Sequence, residues 1–215
     1  MVLSGVGAGA QPQDRAPGAA PAVRGRLAGP GRLGQANALH DLGPVRWLTG
    51  DYQGGVQVLE QALGIYRDLG DRLGQARVAL NGLGAVRVAT GEYPAAAQVL
   101  DQALSIFGDL GDRGGEAEAL NQTGTLHRVS GDLVQAERCH QQALDLARAI
   151  ASAWIEAHAL ASLGRCALAA GHADEAAGSL RQALGIFQRI GAAEAAGVSA
   201  ELDAVTEAQP AAPGS

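Results

Sequence analysis

The sequence contains no lysine; all sixteen of its basic residues are arginine. A phosphate-binding loop of the GxxxxGK[ST] type, a Schiff base and a serine–lysine dyad each require lysine, so all three are excluded. Aromatic residues are scarce as well, at 3% beside 47% apolar residues in 215. Alanine and leucine carry the apolar content, which suits thin helical layers better than one thick core. Two cysteines, Cys139 and Cys166, show neither a CxxC nor a paired spacing for zinc or a disulfide framework. A reduced, cytoplasmic protein is the expectation. There is no basic excess, since the net charge is -6 and the pI near 5.3, which argues against nucleic acid or an anionic membrane as a direct partner. No apolar run approaches the roughly 18 residues a membrane span needs, and the first 25 residues lack the basic leader and apolar stretch of a signal peptide.

Catalytic and metal constellations are missing too. The five histidines, His40, His127, His140, His158 and His172, form no HExxH and share no i, i+4 face, so no metal and no cofactor are expected. Cys139 and His140 are neighbours on a predicted helix and therefore point about 100° apart, unable to act as nucleophile and base together. An enzyme is not expected.

Repetition is what the sequence has in abundance. YRDLGDRLGQA (Tyr66 to Ala76) returns 41 residues later as FGDLGDRGGEA (Phe107 to Ala117). Gly43, Gly84, Gly124 and Gly164 fall in step, and seven residues after each comes another glycine: Gly50, Gly91, Gly131 and Gly171. A period of roughly 20 to 50 residues means a stack of similar units. Four units are present, about 31–70, 71–111, 112–151 and 152–191. Each reads as two helices, because Val56, Leu59, Leu63 and Tyr66 recur as Ala97, Leu100, Leu104 and Phe107 at helical spacing. Leu69-Gly70-Asp71 and Leu110-Gly111-Asp112 then stop one helix and start the next.

The predicted helices lie near 33–49, 52–68, 72–90, 93–109, 113–130, 133–149, 153–170 and 173–190. A more polar segment over 192–206 is expected to cap the last apolar face. Pro44 is expected to kink the first helix or delay its start. Residues 1–30, rich in Gly, Ala and Pro, and 207–215 read as a disordered leader and tail. The leader offers no helix to cover the first unit, which suggests the carboxyl-terminal piece of something longer or a decayed copy of it.

Leu42-Gly43, Gly50-Asp51-Tyr52, Gly55, Leu59 and Ala62, echoed at Leu83-Gly84, Gly91-Glu92-Tyr93, Ala96, Leu100 and Ala103, resemble the tetratricopeptide repeat (TPR), in a long form of 40 to 41 residues. The resemblance implies an all-α, right-handed superhelix of four helix pairs plus a carboxyl-terminal capping helix, acting as a non-catalytic protein-interaction module. LGDRxGxAxALNxxG, read over Leu110 to Gly124, is similar to the carboxyl-terminal TPR arrays of actinobacterial transcriptional regulators that carry an NB-ARC-type ATPase. That implies a sensing role, with such an ATPase as a partner in cis or in trans. The upstream domains of those regulators are absent here, so DNA binding and ATP hydrolysis do not carry over.

A stack of this kind has a concave surface lined by the first helix of each pair. Three residues before each unit glycine stand His40, Asn81, Asn121 and Ala161; six before stand Asn37, Val78, Glu118 and His158; four after stand Trp47, Val88, Arg128 and Leu168. Asn81 and Asn121 are the leading candidates, since an amide that both donates and accepts can hold the backbone of an extended peptide. Equally, such an asparagine can serve only to bond the neighbouring helix. Arg128 and Arg165 are candidate anchors for an acidic ligand, or solvated arginines with packed stems. Trp47 and Trp154 read as packing residues. Self-association through the uncovered first unit is the rival expectation.

Overall fold

The computed structural model describes residues 30–207, and what the sequence suggested for 1–29 and 208–215 lies outside them. No strand occurs among the described residues. The first pair is α1 (Pro30–Leu48) and α2 (Tyr52–Leu69). The second opens with α3 (Arg72–Val78), a π-helical turn (Ala79–Gly84) and α4 (Ala85–Ala89) in one continuous rod, followed by α5 (Tyr93–Leu110). Then come α6 (Arg113–Ser130) with α7 (Leu133–Ala149), α8 (Ala153–Ala169) with α9 (Ala173–Ile190), and a final α10 (Glu194–Glu207). This is the expected all-α superhelix, with α10 laid on α9 and its Val198 and Val205 buried.

The joints between units follow from three residues. Gly70 and Gly111 sit at φ of 71° and 68°, a left-handed conformation that a Cβ disfavours. Immediately after them, Asp71 and Asp112 accept hydrogen bonds from the amides of Gly74 at 2.9 Å and Gly115 at 3.0 Å. Each satisfies a donor that a helix start leaves open. Asp51 and Asp132 do the same inside their pairs, towards Gly54 and Gln135. One joint departs from the pattern. Ala151 takes the left-handed position with φ of 55°, and Ser152 caps Ile155 at 3.4 Å.

Within a pair, the second helix lays one side chain across the unit glycine of the first. A Cβ on Gly43 would stand 2.5 Å from Leu59, on Gly84 2.8 Å from Leu100, and on Gly164 2.9 Å from Leu180. A side chain larger than hydrogen at any of the three would force its leucine to shift. All three leucines are fully buried, and each contributes about 2 kcal/mol by that burial. In the third pair His140 takes the leucine position, fully buried, with its ring over Gly124.

Two expectations are corrected here. The helix over 72–90 is not uniformly α-helical: it carries a π-turn because its unit holds one more residue than the next two. Gly84 lies 13 residues after the cap Asp71, while Gly124 and Gly164 lie 12 after Asp112 and Ser152. A single inserted residue is absorbed as one wide turn. As for α1, the delayed start is what is corrected: the helix begins at Pro30 and continues past Pro44 to Leu48.

Candidate functional site

Successive first helices touch one another, α1 meeting the π-turn, the π-turn and α4 meeting α6, and α6 meeting α8. Among the described residues, α2, α5, α7 and α9 make no comparable contacts with each other. A stack held close along one row and spread along the other curves towards the close row, which makes the first helices the concave face.

Two pockets open between neighbouring first helices. One, of about 270 Å³, lies between α1 and α3 and is lined by Asn37, His40, Asp41, Tyr66 and Arg77 among others. The Tyr66 hydroxyl donates to Asn37 Oδ1 at 2.6 Å, so this asparagine is tied to the second helix of its own pair. Burial pushes the His40 pKa down, against the pull of Asp41, and Arg77 adds to the effect; His40 is half-buried and favours the neutral form.

The other pocket, of about 360 Å³, lies between α6 and α8 and is lined by Glu118, Asn121, Gln122, Trp154, Ile155 and His158. Asn121 Oδ1 stands 2.7 Å from His140 Nδ1. With Nδ1 carrying the proton, His140 donates and the asparagine accepts, which leaves the Asn121 amide nitrogen without a partner. Both roles suggested for this residue are therefore compatible: its oxygen bonds the neighbouring helix, and its NH2 is available in the groove. His158 Nε2 is buried and has no hydrogen-bond partner. Burial lowers the His158 pKa, with Glu194 opposing and Arg165 assisting. Glu118 is shifted the other way, its carboxyl raised by burial first and Asp112 second, against the nearby Arg77.

The remaining sequence candidates fall elsewhere. Arg128 is half-buried near the end of α6 and lines neither pocket, and its charge is felt by His140. Arg165 is engaged in a two-pronged pair with Glu201 of α10, at 2.9 and 2.8 Å, so an acidic ligand would have to displace that carboxylate. Asn81 lies in the π-turn, and its side chain is outside the described residues. Val78 is fully buried, because the extra residue turns it into the core. Ala161 is buried too.

Sequence reasoning did not single out Arg77, and it read Trp154 as a packing residue. Six residues after the cap, where Asp112 is followed by Glu118 and Ser152 by His158, Asp71 is followed by Arg77. Counting from the cap instead of the glycine would have found it. Trp154 is 45% exposed and lines the pocket, whereas Trp47 is half-buried with its Nε1 enclosed and unpartnered.

Reactive chemistry finds little support in this arrangement. Burial raises the thiol pKa of both Cys139 and Cys166, disfavouring the thiolate that nucleophilic or metal chemistry requires. Among the described residues, no group of three His, Cys, Asp or Glu is placed to hold a metal ion, and no helix is long and apolar enough to cross a membrane.

Solved structures share this architecture at low sequence identity. A Rap protein complexed with Competence and Sporulation Factor is 17% identical, with a TM-score of 0.72 over 80% of this chain and 48% of its own. Aspartyl phosphate phosphatase F from Bacillus subtilis is 14% identical, with a TM-score of 0.65 over 75% of this chain and 42% of its own. This chain thus spans under half the length of either. A Podosopora anserina chain of nearly identical TPR-like repeats is 17% identical, with a TM-score of 0.62 over 81% of this chain and 87% of its own. No curated protein matches the sequence significantly. The model of the tetratricopeptide repeat matches residues 34–109, 74–149 and 115–189, and the chain belongs to that family.

Proposed function

We propose that this array is a non-catalytic interaction module that holds an extended peptide, or one face of a helix, from a partner protein along its concave surface. The observation that carries this reading is the pocket between α6 and α8. There a half-buried carboxylate, an asparagine amide and an unpartnered imidazole nitrogen converge beside an open indole. Polar groups left without partners at a concave, partly apolar site are what a ligand backbone can satisfy. The Rap protein was solved in complex with Competence and Sporulation Factor, which is consistent with use of this fold for binding. Narrower forms of the proposal, a signalling or transcriptional-regulatory setting with an NB-ARC-type ATPase as partner, rest on the sequence resemblance.

Self-association is a second reading with an observation of its own. Leu42 and Val45 on α1 are 38% and 56% exposed, while Leu83 and Val86 at the matching places of the second unit are buried.

Panning a displayed random-peptide library on the intact protein tests the main reading. Enriched peptides should lose about tenfold in affinity when Asn81→Ala and Asn121→Ala are combined, with helical circular dichroism retained. They should bind normally when Gln141 on the exposed side of α7 becomes arginine. Failure to enrich any peptide, or equal sensitivity to the α7 change, would overturn the groove assignment. A concentration-dependent dimer in light scattering would then favour association through α1.

A further inference from the structure

We propose that the pocket between α6 and α8 receives a lysine or arginine side chain of the bound segment, with Glu118 as its counter-charge and Trp154 as its aromatic wall. The inference rests on the peptide-binding reading and specifies what that peptide must carry.

Glu118 is the only charged residue lining the pocket. Three half-buried glutamates elsewhere on the first helices and the cap have arginine partners: Glu116 with Arg113 at 2.8 Å, Glu156 with Arg148 at 3.0 Å, and Glu201 with Arg165 at 2.8 Å. Glu118 has no hydrogen bond and no ion pair among the described residues. Arg77, on the preceding unit, is near enough to be felt electrostatically, yet it forms no contact pair with Glu118. A half-buried carboxylate in that state gains most from a cation that displaces little else.

The aromatic wall is independent evidence. Trp154 keeps 45% of its surface exposed, although an indole of that size normally buries most of it. Its orientation is fixed from behind. The His158 ring lies 4.6 Å away at 59°, and the Phe187 ring of α9 meets it edge-on at 6.2 Å and 79°. His158 is itself braced by Phe187 at 5.0 Å and 82°. A braced, open indole beside an unpaired carboxylate is the arrangement that attracts an ammonium or guanidinium group, through the ring quadrupole on one side and charge on the other. Ile155 supplies an apolar surface for the aliphatic stem, and Gln122 a carbonyl that can accept from the head group. Arg165, whose charge reaches His158 in the pocket wall, is already engaged with Glu201 and offers an acidic ligand no free partner.

Peptides enriched by panning on the intact protein should share one basic position. Replacing that residue with norleucine, which keeps the stem and removes the charge, should weaken binding about tenfold. Glu118→Gln should erase the difference between the basic and norleucine peptides, and Trp154→Leu should weaken both lysine and arginine forms. Glu118→Arg should shift a fresh panning towards peptides acidic at the same position. If peptides are enriched but carry no basic position, or if Glu118→Gln leaves the basic preference unchanged, the cation assignment is wrong while the groove remains a peptide site. If no peptide is enriched at all, both fall. Unchanged helical circular dichroism in each variant separates loss of the site from loss of the fold.

Discussion

The second and third units solve the same packing problem differently. In the second, Leu100 fills the space over Gly84, and the first helix carries one surplus residue in a π-turn. In the third, the first helix is regular α from Arg113 to Ser130, but His140 stands where the leucine should be, and Ala151 stands where the joint glycine should be. One unit thus departs in its backbone and keeps an apolar seam; the other keeps its backbone and departs in chemistry. The difference shows that seam and register are separately adjustable, since neither departure spreads to the neighbouring pair.

The largest test of that separation is deletion. Removing Val78 would bring Asp71 and Gly84 to the 12-residue spacing of the third unit and leave Ala76-Arg77-Ala79-Leu80-Asn81, close to Ala117-Glu118-Ala119-Leu120-Asn121. The π-turn should close into α-helix, with unfolding free energy within about 1 kcal/mol of the parent, because the lost valine contact is offset by a regular hydrogen-bond ladder. Removing Ala119 from α6 has no surplus to draw on. It rotates every residue before it by about 100° relative to Gly124, so the loss should exceed about 3 kcal/mol and show as broken cooperativity in urea unfolding. Similar costs for the two deletions would mean that the π-turn is not the seat of the extra residue.

The seam itself is tested by pH. Burial first, then the charges of Arg128 and Arg165, push the His140 pKa from its ordinary 6.5 down to about 4. Asn121 is its one hydrogen-bond partner among the described residues, and Nε2 is buried without any. Between those two values the unfolded chain binds a proton that the folded chain refuses. Stability should therefore be full above about pH 6.5 and fall on acidification towards pH 4, by about 3 kcal/mol from this group. His40 and His158, also lowered, add to the slope, so the informative quantity is a difference. His140→Leu should remove about 3 kcal/mol of acid sensitivity and raise stability at pH 7 by about 1 kcal/mol, as an unpartnered polar atom leaves the core. Parallel pH profiles for the two proteins would refute the burial account.

Much of this was legible because the joints are local. Leu-Gly-Asp states its own stop, turn and start, and its recurrence gives the stack. The surplus residue was also in the sequence, but only as a disagreement between two ways of counting: back from Gly84, Val78 falls in the groove, while forward from Asp71, Arg77 does. Residues whose roles come from another helix gave no such signal. Asn121 is oriented by His140, 19 residues away, and Trp154 is braced by Phe187 on α9. No spacing rule within one helix encodes either contact.

The smallest expected effect compares the joints at the ends of the two units. Gly111 at φ of 68° closes the second, and Ala151 at φ of 55° closes the third. A Cβ in the left-handed region costs roughly 1–2 kcal/mol, while replacing alanine by glycine also frees the unfolded chain and returns about 0.4–1 kcal/mol of that gain. Ala151→Gly should thus stabilise the array by about 0.5 kcal/mol, and Gly111→Ala should destabilise it by a similar amount, both read from urea midpoints at unchanged slope. Opposite signs would show that the two joints are the same device with one poorly chosen residue. If Ala151→Gly is instead destabilising, alanine at the third joint is held by contacts that glycine cannot make, and the units differ in their joints as well as in their seams.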